Sequence, residues 1–105
     1  MRKLLLLSLF YGMPALADSL YIGHYICNKK QFIEISPSLL YIGSSEFIYN
    51  QTMKKPGRPT SDIFLKGNEV AIFSPQPSWK GHYSLNIRSL SNNNEAPYVA
   101  DCVKR

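Results

Sequence analysis

His24 and His82 are the two histidines of this chain. Two imidazoles near a lysine could cleave RNA by acid–base chemistry, one taking a proton while the other gives one. Nothing in their spacing brings them together. His24 shares a strand face with Leu20, Ile22 and Ile26, and His82 opens a strand at a solvent-facing position. Both read as ordinary structural histidines. A metal site would need a third ligand at a suggestive spacing, and none accompanies them. A serine nucleophile would need a setting such as G-x-S-x-G between a strand and a helix, and the chain has none. The residues therefore point to a non-enzymatic protein without cofactor or metal.

Binding chemistry is better represented. Trp79, the single tryptophan, lies in Pro75-Gln76-Pro77-Ser78-Trp79-Lys80-Gly81. An exposed tryptophan beside a lysine on a proline-stiffened loop has the composition of an interface hot spot. Folded back, the same ring would instead cap an open barrel end. Lys54, Lys55 and Arg58 gather around Pro56-Gly57, either a solvated loop or a cationic contact. Lys66 precedes Gly67-Asn68 at the tip of an expected hairpin. Tyr21, Tyr25, Tyr41, Tyr49, Tyr83 and Tyr98 fall mostly on strands, where cross-strand packing accounts for them. Asn50-Gln51-Thr52 is a glycosylation sequon, relevant only in a eukaryotic secretory pathway.

The elements that would position these residues are strands. No segment after residue 17 sustains a helical period, whereas β-branched and aromatic runs recur between turn residues. Strands are expected over 20–27, 31–36, 39–42, 46–51, 63–66, 69–73, 82–90 and 98–103. Gly43-Ser44-Ser45 and Gly67-Asn68 would make tight hairpins. Residues 53–62 and 74–81 read as long loops, and 91–97 as a polar turn. In the seventh run Tyr83, Leu85 and Ile87 should face inward, with Ser84, Asn86 and Arg88 outward. Seven or eight short strands imply an all-β fold, a small antiparallel barrel or sandwich.

The first 17 residues say where the rest would work. Arg2 and Lys3 precede an apolar run over residues 4–10, and Ala15-Leu16-Ala17 has the small-x-small spacing of a signal peptidase site. The run is too short for a bilayer, which takes about 20 residues, and no cysteine follows Ala17 to carry a lipid. The expectation is a signal peptide over 1–17 and a single exported domain over 18–105, periplasmic or secreted, with no stable membrane anchor. Cleavage lowers the formal charge from +5 to +3, because 12 basic residues become 10 against 7 acidic ones. That balance suits acidic partners but names none, and no nucleic acid is expected. Cys27 and Cys102 allow one intramolecular pairing, which an oxidising compartment favours. Two free reactive thiols are the competing reading, but neither residue lies in a C-x-x-C or beside a strong cationic cluster.

Tyr25-Ile26-Cys27, the segment from Gly57-Arg58 through Phe64-Leu65-Lys66-Gly67-Asn68-Glu69-Val70-Ala71, and the late Cys102 resemble the periplasmic inhibitors of c-type lysozyme. The resemblance implies a small β-barrel that inserts a loop serine and the lysine of a K-G-D turn into the enzyme's cleft, against its catalytic carboxylates. Lys66 would be that cation. The pattern departs at Asn68, where the family has aspartate, at the adjacent Gly57 and Arg58, and at Met53, where the family's serine would stand. The stretch from Lys66 to Cys102 is also longer, enough for an extra strand.

Taken together, the residues suggest an envelope binding protein whose partner is a protein, a lysozyme-type hydrolase or a toxin. Lys66, Arg58 and Trp79 are its candidate contacts. A small secreted nuclease using His24 or His82, and a structural or ligand-carrying barrel, are the alternatives.

Overall fold

The computed structural model describes residues 18–91 and 96–105. The expected leader lies outside the described residues, as does the middle of the polar turn at 91–97. Eight strands follow one another: β1 (Gly23–Cys27), β2 (Gln31–Ile35), β3 (Leu39–Ile42), β4 (Ser45–Met53), β5 (Ser61–Lys66), β6 (Glu69–Pro75), β7 (His82–Ser89) and β8 (Tyr98–Lys104). Each pairs antiparallel with the next, and β8 pairs back onto β1, so the meander is a closed barrel rather than a sandwich. Closure leaves no unpaired edge for another chain to template on.

Period-two alternation fills the interior. Tyr25, Ile35, Leu40, Phe64, Phe73 and Leu85 are all but fully buried. Tyr83 and Ile87 pack against them, as the alternation of β7 requires. Eight strands enclose about the volume that side chains alone can occupy. At one end Tyr21, Tyr25, Phe73 and Tyr83 form a ring cluster with centroids 4.9–5.8 Å apart. The hollow of about 480 Å³ lined by Ser74, Gln76, Ser84 and Asp101 opens on the outer wall. An interior filled in this way is poor ground for a ligand-carrying barrel.

Cys27 and Cys102 form a disulfide that joins directly opposed residues of β1 and β8. That seam has three register pairs, so a covalent bond stands where the hydrogen-bonded ladder is short.

The turns follow from backbone chemistry. Ile42 pairs with Ser45, and Lys66 with Glu69, each across a two-residue turn. Gly43 (φ 59°) and Gly67 (φ 57°) each take the first central position with positive φ. The second central residue keeps negative φ, the pattern of a type II′ turn.

Strand limits differ from expectation by more than one residue at three places. Residues 20–22 do not extend β1. Ser19 N donates to Pro37 O (3.0 Å), while Leu20 N and Tyr21 N donate to Asp62 Oδ2 (2.8 and 3.3 Å). The N-terminal segment thus crosses the barrel mouth, from the β2–β3 loop to the start of β5. The expected loop over 53–62 is shorter, because Met53 pairs with Ser61 and Thr52 with Asp62. Asp62 is fully buried and accepts from three donors, the third being Thr52 Oγ1 at 2.8 Å. A carboxylate with that many partners is stable inside a barrel, so an acidic residue continues the strand instead of ending it. The third difference is in β6, which runs on through Pro75, paired with Tyr83.

Candidate functional site

The β6–β7 connection, residues 76–81, is closed by its own backbone. Gln76 N donates to His82 O (2.9 Å), Trp79 N to Gln76 O (3.1 Å) and His82 N to Trp79 O (3.0 Å). Gly81 takes φ 85°, a region that L side chains disfavour, and returns the chain to β7. Trp79 is 53 % exposed and stacks flat on His82, with centroids 3.5 Å apart and planes 13° off parallel. One indole face is therefore covered by the imidazole.

His82 is held in turn. Its Nδ1 lies 2.9 and 3.0 Å from the two carboxylate oxygens of Asp101. Register pairs Ser84 with Asp101 and His82 with Val103, so the contact is a diagonal one across β7 and β8. Gln76 Nε2 donates to Asp101 Oδ1 (2.7 Å) and to Tyr83 O (3.1 Å). An ionised carboxylate only accepts, so Nδ1 carries the proton facing it. His82 faces outward, as its strand position implies, but its side chain is only 20 % exposed. Asp101 pulls the ring along the wall, and Trp79 covers it.

This pair does not extend into a catalytic set. Among the described residues no serine hydroxyl bonds the other ring nitrogen of His82. His24 lies on the exposed outer face of β1, opposite Glu34. β8 separates β1 from β7, which puts the two histidine backbones about 10 Å apart or more at ~4.8 Å per strand. Each has a different carboxylate neighbour, Glu34 across from His24 and Asp101 beside His82. No group of three or more metal-binding side chains is gathered among the described residues.

The three candidate contacts fall at different places. Trp79 belongs to the mouth end, with the β4–β5 and β6–β7 loops. Lys66 is exposed at the β5–β6 turn, at the other end of the barrel. Arg58 lies between them. Its loop, residues 54–60, folds back over the outer wall, where Lys55, Arg58 and Pro59 line a hollow of about 230 Å³ with Ile63 and Ile72. That flap explains why Ile63, on the outward face of β5, is only 8 % exposed. Arg58 packs over the outward face of β5 with Ile63, whereas Lys66 continues the alternate row of Asp62 and Phe64 to the far rim, and Trp79 stands at the end opposite Lys66.

Two groups were not anticipated from sequence, Asp101 and the buried Asp62. Asp101 alternates with Ala100 and Cys102 and so points outward, but its partner lies 19 residues away and is fixed only by register. Comparison with protein-family models, with curated proteins and with solved structures finds no match to this chain.

Proposed function

We propose that this is a small exported binding protein of the cell envelope that inhibits a cell-wall hydrolase of the c-type lysozyme kind. The observation that carries the reading is the placement of Lys66. It tops a two-residue turn on a disulfide-closed barrel, with Arg58 and Lys55 on the flap above the same strand. A cation aimed at paired carboxylates is attracted to them and occludes substrate. A scaffold that is already rigid loses little entropy when it binds.

The resemblance noted in the sequence supports the same residue. Trp79 is not required for this contact, because it stands at the opposite end from Lys66. The experiment is a titration of the mature protein against c-type lysozyme in a cell-wall lysis assay. Lysis should be suppressed in a saturable, salt-sensitive manner. No suppression at a large molar excess would leave the hydrolase reading without support.

A further inference from the structure

Trp79 differs from the other exposed apolar side chains of the barrel wall in being held by three side chains. His82 covers one face, Asp101 fixes His82, and Gln76 ties the loop to the same carboxylate. The brace leaves the other indole face free and its orientation set.

Beside this platform is the hollow of about 480 Å³ on the outer wall, a volume in the range of small-molecule sites. Ser74, Gln76, Ser78, Ser84 and Asp101 supply the polar half of its lining, and three prolines, a valine and an alanine the apolar half. Ser78, the chain neighbour of Trp79, and Asp101, which holds the His82 beneath the indole, both line it, although Trp79 itself does not. The hydroxyls of the serines both donate and accept, and the Asp101 carboxylate has lone pairs beyond those taken by Gln76 and His82. It is 39 % exposed, open to a ligand as well as to its protein partners.

We propose that this hollow and the free face of Trp79 form a glycan-binding subsite. A pyranose ring presents a sheet of C–H groups on one side, which the electron-rich indole face attracts. Its hydroxyls need donors and acceptors in alternation at the rim, the mixture that serines, an amide and a carboxylate supply. The site is separate from the Lys66 flank, and it stands or falls independently of hydrolase inhibition.

Because Trp79 is the only tryptophan, its emission reports this face alone. The mature protein is titrated with N-acetylglucosamine tetramer and with maltotetraose, and separately with polygalacturonate, following Trp79 fluorescence. A saturable blue shift with a neutral tetrasaccharide is expected. Ser84→Val should weaken it at least tenfold while leaving the thermal melt unchanged, since valine suits an outward strand position and fills the floor of the hollow. No saturable shift at millimolar neutral sugar overturns the proposal. So does a shift that Ser84→Val leaves intact, because the hollow would then take no part. A response to polygalacturonate alone, abolished by salt, would make the face a polyanion contact and overturn it equally. No hydrolase is present in the measurement, so its failure leaves the lysozyme titration unaffected.

Discussion

His82 Nδ1 sits within 3.0 Å of both carboxylate oxygens of Asp101, and this one contact decides how the β6–β7 loop stands. The imidazole can support Trp79 only if its ring plane is fixed, and Asp101 fixes it from the neighbouring strand. Gln76 shares the carboxylate, so the loop and its platform are tied to β8 through a single side chain.

Asp101→Ala should release that tie. We expect a loss of about 1 kcal/mol, the ordinary net value of a hydrogen bond at a partly exposed site, and a red shift of Trp79 emission as the ring enters water. An unchanged emission maximum would show that the stack on His82 stands without Asp101.

Removing the Cys27–Cys102 bond should be more costly. The bond encloses a sequence separation of 75 residues, for which the chain-entropy treatment gives about 4 kcal/mol. It also secures the three-pair seam between β1 and β8. Cys27→Ala/Cys102→Ala should melt well below the parent in a calorimetric scan, and the reduced parent should fall with it.

Asp62→Ala tests the cap on the barrel mouth. It strips Leu20 N, Tyr21 N and Thr52 Oγ1 of their shared acceptor. A buried donor left without its acceptor costs about 1–3 kcal/mol, and donors near the mouth can turn to water, so the expected net loss is roughly 3 kcal/mol. Limited proteolysis should then cut first within residues 18–22.

Alkaline pH acts on the rings beneath that cap. Burial raises the Tyr25 phenol above its ordinary value of 10.0, with Tyr83, Asp62 and Tyr21 adding to the effect. Its hydroxyl also donates to Tyr21 O at 2.8 Å. In the folded state Tyr25 keeps its proton where the unfolded chain gives it up. Its contribution is therefore complete below pH 10 and declines as pH rises beyond that value. Tyr25→Phe, which cannot ionise, should be less stable than the parent at neutral pH and should lose less of its stability between neutral and strongly alkaline solution.

Much of this fold was legible because strand patterning is local. β-branched and aromatic runs between Gly, Pro and Asn gave eight strands close to their observed limits, and β7 faces the way its alternation requires. The limits failed where long-range hydrogen bonds override local propensity. Asp62 looks like a loop residue until Leu20, Tyr21 and Thr52 are found to converge on it. Residues 20–22 look like strand until Asp62 draws them across the mouth. Closure itself could be foreseen only as a consequence of the Cys27–Cys102 pairing. The candidate site was legible in part. Trp79 announced itself by its type and its prolines, and Lys66 by its turn, but Asp101 gave no local signal. Nor does sequence order reveal that Lys66 and Trp79 lie at opposite ends, since that depends on counting turns around a closed sheet.

The central claim, that the Lys66 flank engages an acidic hydrolase cleft, is tested most directly by calorimetric titration of c-type lysozyme with the parent and with Lys66→Ala. The account predicts saturable binding by the parent, weakened by about 1–3 kcal/mol in the variant, the range for loss of a charge-assisted hydrogen bond. Equal affinity of parent and variant, or no binding by either, would contradict it.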